Sequence, residues 1–247
     1  MKVIYLDCFS GISGDMFLGA MVDMGAVDLD LLSSGLSGLG LDIVVRAKKV
    51  SRHGIAGTKV DVMAPDAAEE RHLDEILEII GRSSPPENIR SLSRNIFRRL
   101  AGAESKVHGV PVEDVHFHEV GALDTIADVV GAAICYRASG AEALYSSPVN
   151  VGGGLVKTSH GVLPVPAPAT LELLKGVPVY ATGVEAELVT PTGAAILSEL
   201  CSGYGPIPRM CVEKTGYGAG AKDLGAPNLL RAVLGEIYEG ADAHKRR

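Results

Sequence analysis

The sequence predicts an α/β fold in which a mixed, mostly parallel sheet is flanked by helices. β-rich runs alternate with apolar-periodic helical segments along most of the chain, which is typical of strand–helix units. The 247 residues are 47% hydrophobic, which is enough for a full core in one large domain. Residues 51–57, SRHGIAG, lie between two β-rich stretches and predict a hairpin, so a mixed sheet is favoured over a purely parallel one.

The first half of the chain begins with a strand and ends with a long helix. Residues 2–8 form a β-rich run that ends in a Ser/Gly loop, and two helices follow, the second at about 28–39. Further helices are predicted at about 73–82 and 87–107, separated by SSPPEN, whose prolines open the second of them. A short strand carries DVHFH, and the long helix runs from about 123 to 138.

The second half alternates strands and short helices. ALYSSPVNV predicts a strand, and many glycine and proline breaks follow it. We expect residues 1–240 to form a single α/β domain, with a subdivision near 145–150 as the alternative. Residues 241–247 are expected to form a basic tail exposed to water.

The composition argues against several classes of function. A net charge of −7 and the absence of tryptophan argue against a nucleic-acid partner. No run approaches ~18 apolar residues, so we expect no membrane span, and the N-terminus lacks the pattern of a signal peptide. The four cysteines show no CxxC spacing, which predicts reduced thiols in a cytoplasmic protein.

VHFHEVGALDTIADVVG, residues 115–131, concentrates groups that can bind a metal. His116 and His118 lie two apart and share one face of a strand, while Asp124 and Asp128 lie four apart and share one face of a helix. Glu119 begins the turn between them. Imidazoles suit nickel, zinc and iron, and carboxylates can fill the remaining positions. We predict a polar functional cluster, and the spacing leaves open metal binding, general acid–base chemistry, or a plain helix cap beside an exposed histidine.

YLDCFSGISGDM, residues 5–16, joins a strand to a helix through a Ser/Gly loop. The amides of such a helix start bind anions, so Ser10, Ser13 and Gly14 are candidates for holding a phosphate. Asp7 at the strand end and Asp15 in the first helical turn could hold a cation on that phosphate. The alternative for Asp15 is that it only stabilises the helix dipole.

NVGGGLVKTSHGVLPVPAPAT, residues 150–170, predicts a loop folded closely over a ligand. It is not a P-loop, because Val156 rather than glycine precedes the lysine. The candidate substrate contacts are Gly152, Gly153, Gly154, Lys157, Thr158 and Ser159. His160 is a third candidate ligand or acid–base group, or else a turn histidine exposed to water.

Two further stretches are weaker indicators. Thr190 is a good N-cap in ELVTPTGAAIL, and it and Thr192 could meet a phosphate or carboxylate at that helix start, although structure alone accounts for them. In TGYGAGAKDLGAPNLLR, Gly216, Gly218 and Ala221 fit G-x-G-x-x-A. No convincing helix follows, so a dinucleotide site is only weakly indicated.

These stretches, in this order, resemble the LarC family, the nickel-insertion proteins of lactate racemase cofactor synthesis. The resemblance spans nearly the whole chain and is carried by YLDCFSGISGDMFLGAMVDMG, HFHEVGALDTIADVVG, VNVGGGLVKTSHGVLPVPAPATLELL, ELVTPTGAAIL and GYGAGAKDLGAPNLLR. It implies a nickel chelatase of the lyase class that inserts Ni²⁺ into pyridinium-3,5-bisthiocarboxylic acid mononucleotide and forms the carbon–nickel bond of a pincer cofactor. It also implies CTP hydrolysis with Mg²⁺ or Mn²⁺.

The resemblance covers the N-terminal portion of the family. Family members usually continue into a C-terminal domain with which nucleotide binding is associated, whereas this chain stops at Arg247. We therefore expect CTP-dependent turnover to need that domain in cis or in trans.

The resemblance transfers no catalytic residue, so the assigned roles rest on the residues themselves. His118, His160 or a carboxylate could take the ring proton as the carbon–metal bond forms. The expected metal ligands are His116, His118, Glu119, Asp124, Asp128 and Asp15. Two alternatives remain: a metal-dependent phosphohydrolase, and a nickel carrier or assembly domain without activity of its own.

Overall fold

The protein, in a computed structural model, is described over residues 1–64, 71–117 and 123–238. The helices are α1 (Gly14–Asp23), α2 (Leu29–Ser37), α3 (Leu73–Arg82), α4 (Glu87–His108), α5 (Leu123–Ala138), α6 (Pro168–Leu173) and α7 (Pro191–Leu200). The strands are β1 (Lys2–Asp7), β2 (Val44–Arg52), β3 (Ile55–Met63), β4 (Arg71–His72), β5 (His116–Phe117), β6 (Ala143–Ser146), β7 (Val149–Asn150), β8 (Leu155–Thr158), β9 (Gly161–Pro164), β10 (Val179–Tyr180), β11 (Cys201–Tyr204), β12 (Met210–Ala219) and β13 (Leu229–Ile237). The predicted ligands His118 and Glu119 and the predicted basic tail lie outside the described residues.

Local sequence signals account for several of these boundaries. The predicted hairpin is confirmed: β2 and β3 pair antiparallel, with Arg52 opposite Ile55. His53 and Gly54 form its two-residue loop, with φ of 50° and 83°, the left-handed values that such a tight turn needs. Helix α4 ends at Gly109, which has a φ of 67° and so supplies the left-handed residue that commonly terminates a helix.

The main sheet confirms the predicted α/β class and has seven strands in the order β11-β6-β1-β13-β12-β3-β2. Within the described residues, the pairs β11–β6, β6–β1 and β12–β3 are parallel. The pairs β1–β13, β13–β12 and β3–β2 are antiparallel. The sheet is therefore mixed, as predicted, but evenly so rather than mostly parallel. The difference arises because β13 inserts antiparallel between β1 and β12, and hydrophobic patterning does not encode strand direction.

One face of the central strands forms the core with the helices. Ile4 and Leu6 of β1 and Leu230 and Ala232 of β13 are fully buried in the same apolar cluster as α1, α5 and α7. Burial of this apolar surface is the main favourable term in folding. In the described ranges, no helix combines the length and apolarity needed to cross a bilayer.

Helix α1 lies unusually close to β12, and glycines make this possible. A Cβ atom at Gly218 would collide with the carbonyl oxygen of Met16, and one at Gly216 with that of Ala20. From the helix side, a Cβ at Gly19 would collide with the carbonyl oxygen of Thr58. The G-x-G spacing that weakly suggested a dinucleotide site thus has a packing role: it lets a helix backbone approach a strand.

Replacing Gly218 with alanine is expected to destabilise the protein by roughly 3 kcal/mol, the upper end of the usual overpacking penalty. The obstacle is main-chain oxygen, which cannot swing aside as a side chain can. Gly102→Ala is the matched control, because no atom lies within 4 Å of its Cβ position on α4. It should stabilise by about 0.5–1 kcal/mol through helix propensity. Urea unfolding measures both variants, and a Gly218→Ala midpoint equal to wild type would contradict the packing role.

Candidate functional site

An open cleft of about 650 Å³ lies between the first turns of α1 and α5 and the β2–β3 hairpin. We call it the charged cleft, because seven of the side chains that line it are ionisable. They are Asp15, Arg46, Lys48, Lys59, Asp61, Asp124 and Asp128. Three of the sequence-predicted metal ligands, Asp15, Asp124 and Asp128, are therefore brought to one cavity.

Both oxygens of Asp15 are engaged. Its Oδ1 accepts hydrogen bonds from the Ser13 hydroxyl and, at 2.9 Å, from the Met16 amide. Its Oδ2 accepts from the Lys59 ammonium at 2.6 Å. The first contacts fit the interpretation of Asp15 as an acid at a helix N-terminus, whereas the ion pair with Lys59 extends its role to the cleft.

Asp128 has the most perturbed carboxyl of the charged cleft. Burial raises its pKa well above the ordinary value, and the negative charges of Asp15 and Asp124 raise it further, with only Lys59 opposing. Gly14 packs directly against it, since a Cβ at Gly14 would collide with the Asp128 carboxylate. The small residue predicted to face a phosphate thus also makes room for Asp128.

Asp124 is the exposed member of the cluster, and its Oδ1 accepts from the Thr125 amide at 2.7 Å. As arranged, no three His, Cys, Asp or Glu side chains in the described parts of the chain are close enough together to hold a metal ion. The charged cleft collects suitable oxygen donors but does not hold them in a closed coordination shell.

A second cavity, of about 260 Å³, lies where α1 and α7 begin. We call it the helix-start pocket. Its lining includes Ser13, Asp15, Thr190, Lys222 and Asn228. Thr190 caps α7 by accepting from the Gly193 amide at 3.1 Å, as predicted of an N-cap. Asp15 lines both this pocket and the charged cleft, so it belongs to both cavities.

Other predicted substrate residues have partners within the protein. Asp7 forms an ion pair with Arg231, which lies directly opposite it on β13. The Ser10 hydroxyl donates to the Pro227 carbonyl oxygen at 2.6 Å. Thr192 is buried in the first turn of α7. None of the three lines the charged cleft or the helix-start pocket.

The predicted glycine-rich loop divides into two parts. Gly152 packs on the chain at 184–188, where a Cβ would collide with the Ala186 carbonyl oxygen, and Gly153 and Gly154 border the same segment. Lys157 and Thr158 belong to the β8–β9 hairpin, and Ser159 and His160 form its turn, where the His160 amide donates to the Thr158 hydroxyl at 3.1 Å.

The two predicted histidines that the structure describes, His116 and His160, do not line the charged cleft. The ring of His160 lies 4.9 Å from that of His108, centroid to centroid, and both line a separate cavity of about 270 Å³. In that cavity the Nε2 of His108 is 3.3 Å from a Glu104 carboxylate oxygen. His116 is exposed on β5, and its ring lies 4.0 Å from that of His72. The structure therefore groups His160 with α4 rather than with the charged cleft.

Comparison with known proteins identifies the family of this chain. The family model described as nickel insertion protein matches residues 4–247. The chain belongs to the nickel insertion protein family.

Several curated relatives in the nickel insertion protein family are similar over almost the whole chain. The pyridinium-3,5-bisthiocarboxylic acid mononucleotide nickel insertion protein of Desulfitobacterium hafniense (strain DSM 10664 / DCB-2) is 55% identical over 240 residues, which cover 97% of this chain and 60% of the relative. A putative nickel insertion protein of Dictyoglomus thermophilum is 48% identical, over 97% of this chain and 62% of the relative. The pyridinium-3,5-bisthiocarboxylic acid mononucleotide nickel insertion protein of Geobacillus kaustophilus is 45% identical, over 96% of this chain and 60% of the relative. The chain thus spans about 60% of the length of these relatives, and no solved structure matches it.

Sequence reasoning missed three polar residues in this nickel insertion family member. Lys59 lines the charged cleft, and Lys222 and Asn228 line the helix-start pocket. Lys59 lies in the alternating strand segment TKVDVM, where a charged residue ordinarily faces solvent. Its burial depends on Asp15, which lies 44 residues away in the chain, so no local pattern could have revealed it.

Asp128→Asn is expected to be more stable than wild type at neutral and mildly alkaline pH. A carboxyl whose pKa is raised by folding contributes stability below its unfolded value, and this contribution is lost as the pH rises through the folded value. Asparagine cannot ionise and so avoids that loss. We expect a melting temperature higher by roughly 2–4 °C at pH ~8, the shift that about 1 kcal/mol produces in a domain of this size.

The difference should shrink toward about pH 3, below the ~3.9 pKa of an unfolded aspartate, where the carboxyl is mostly protonated in both the folded and unfolded states. Asp30→Asn, which removes an exposed carboxylate of α2, is the control and should show no such rise. Calorimetry across this pH range makes the comparison. If the melting temperature of Asp128→Asn never exceeds that of wild type, folding does not raise the pKa of Asp128.

Proposed function

We propose that this chain carries out nickel insertion as a nickel chelatase of the lyase class. It binds Ni²⁺ in the charged cleft and the phosphate of pyridinium-3,5-bisthiocarboxylic acid mononucleotide in the helix-start pocket. It then joins the metal to the mononucleotide. The observation that carries the proposal is that Asp15 lines both cavities. An ion at Asp15 would lie next to a ligand anchored at the start of α1. We take the substrate from the names of the relatives, which are pyridinium-3,5-bisthiocarboxylic acid mononucleotide nickel insertion proteins.

The carboxylate oxygens of the charged cleft suit a metal ion that must be transferred to a substrate. Asp15, Asp124 and Asp128 offer hard carboxylate oxygens, whereas the sulfur groups of the mononucleotide are soft ligands that nickel prefers. Carboxylates therefore hold nickel weakly enough for its transfer to the substrate. His116, His118 and Glu119 precede α5 in the chain, and we propose them as additional ligands.

The helix-start pocket has the features of an anion site. Two ten-residue helices, α1 and α7, begin at its edge with their amide groups, and Lys222 adds a positive charge. Glu187 and Asp15 also line it and oppose an anion. A divalent cation at Asp15 would offset that repulsion, so nickel and the mononucleotide should strengthen each other's binding.

Formation of the carbon–nickel bond releases a ring proton, which a base must accept. Of the candidates, His160 lines a different cavity from the charged cleft. We therefore propose His118 or a carboxylate of the charged cleft as the acceptor.

The accompanying reaction and the compartment follow from the family resemblance and the cysteines. We propose that CTP hydrolysis with Mg²⁺ or Mn²⁺ accompanies insertion and uses the C-terminal domain of the family, in cis or in trans. The four cysteines are free thiols, two of them buried, which is consistent with the reducing conditions of the cytoplasm. The phosphohydrolase alternative is disfavoured, because Asp7, one of its supposed metal ligands, is paired with Arg231.

Asp15→Asn is expected to weaken nickel binding by about tenfold or more, the scale on which even a supporting ligand affects metal affinity. It should also reduce the cooperation between nickel and the mononucleotide. Lys222→Met should weaken mononucleotide binding and leave the affinity for nickel alone unchanged, because Lys222 lines only the helix-start pocket. Titration calorimetry with each ligand, alone and in the presence of the other, measures both effects.

Asp30→Asn removes one carboxylate from the exposed face of α2 and serves as the charge control. It should bind both ligands as wild type does. If folded Asp15→Asn binds nickel as tightly as wild type, the charged cleft is not the nickel site.

A further inference from the structure

Lys59 is the only lysine or arginine that is buried in the described part of the chain, with 7% of its surface exposed. Its ammonium lies 2.6 Å from Asp15 Oδ2, 2.8 Å from the Val60 carbonyl oxygen and 3.2 Å from Asp61 Oδ1. These three acceptors match the three hydrogens of an ammonium group. The attraction of Asp15 and Asp61, whose oxygens lie 2.6 Å and 3.2 Å from the ammonium, offsets the cost of burying its charge.

The ammonium lies against the oxygen of Asp15 that is open to a cation. Oδ1 of Asp15 already accepts hydrogen bonds from the Ser13 hydroxyl and the Met16 amide, so Oδ2, which accepts from Lys59, is the oxygen through which Asp15 would bind an ion in the charged cleft. A divalent ion and the ammonium cannot both lie against one oxygen without strong repulsion.

Asp61 offers the displaced ammonium a second partner. It is already within 3.2 Å of Lys59, and its side chain remains 36% exposed. Lys48, directly opposite Lys59 across β2 and β3, also pairs with Asp61 at 3.0 Å. Hydrogen bonds from Lys48 and, to a lesser extent, Lys59 lower the pKa of Asp61, although burial opposes them. Asp61 therefore stays ionised. The flexible four-carbon chain of lysine allows a small shift from Asp15 toward Asp61.

We propose that Lys59 is a built-in competitor for nickel: its ammonium holds the cation position at Asp15 in the empty protein, and the arriving ion moves it toward Asp61. This inference rests on the proposed function, since it takes the charged cleft as the nickel site. Its consequence is reversible binding. When the ion passes to the soft ligands of the mononucleotide, Lys59 returns to Asp15 and stabilises the empty cleft, which favours release.

Lys59→Met tests the competitor directly and Lys49→Met is its matched control. Both variants remove one positive charge from the β2–β3 hairpin, but Lys49 pairs with Asp23 and does not line the charged cleft. Lys59→Met is expected to bind nickel at least about tenfold more tightly, because a unit charge at ion-pair distance is removed. Its release of nickel to an excess of a chelating dye should slow in proportion. Lys49→Met should change the affinity by less than about threefold, since the ammonium of Lys49 is exposed and exposed ion pairs are weak.

Two further variants keep the test decisive. Lys59→Gln replaces Lys59→Met if the latter fails to fold, and it should also tighten nickel binding. Lys59→Arg keeps the charge beside Asp15, so it should bind nickel no more tightly than wild type. Calorimetry with Ni²⁺ alone and stopped-flow release, both on the full chain, are the readouts.

The outcomes separate the inference from the function on which it rests. If Asp15→Asn weakens nickel binding while Lys59→Met and Lys59→Gln bind nickel like wild type or less tightly, the competitor role is overturned and the charged cleft stands. Equal tightening by Lys49→Met and Lys59→Met would also overturn it, because general charge would then explain the effect. If Asp15→Asn binds nickel like wild type, the cleft itself is not the nickel site and both proposals fall.

Discussion

The close packing of α1 against β12 is the constraint on which both cavities depend. Gly216 and Gly218 carry no Cβ, so the helix backbone can lie against the strand, where any larger residue would meet main-chain oxygen. This contact fixes the position of the first turn of α1, including Asp15. A similar close approach of Gly193 to the Ile12 carbonyl oxygen brings the start of α7 beside it. Backbone contact without intervening side chains thus sets the geometry where the charged cleft and the helix-start pocket meet.

The charged cleft is a balance of opposing charges in a partly buried space. Asp15 forms an ion pair with Lys59, whereas burial and its acidic neighbours disfavour the charge of Asp128. Under the proposed function, a cation that enters the cleft would relieve the repulsion between the carboxylates. The ion could also leave, because Lys59 would then return to Asp15. Weak, reversible cation binding is what the proposed delivery to a sulfur-containing substrate requires.

Local features of the fold were predictable from the sequence, and long-range ones were not. The bounds of α3 and α5 agree with the predicted helices, because apolar periodicity and helix-end signals are local. The antiparallel insertion of β13 and the pairing of His160 with His108 depend on segments distant in the chain. The sequence placed Asp15 and Asp128 in one expected set of metal ligands, and both line the charged cleft, but it did not identify Lys59 as their neighbour. Turn and helix signals specify elements, but tertiary packing decides which ends of them meet.

Anomalous scattering at the nickel absorption edge, from crystals grown with Ni²⁺ and the mononucleotide, tests the central claim most directly. The account predicts a nickel peak in the charged cleft, within coordination distance of the Asp15 carboxylate, with the mononucleotide phosphate at the starts of α1 and α7. It further predicts that the Lys59 ammonium lies nearer to Asp61 than in the empty protein. A nickel peak between His108 and His160, with Lys59 still bound to Asp15, would contradict it.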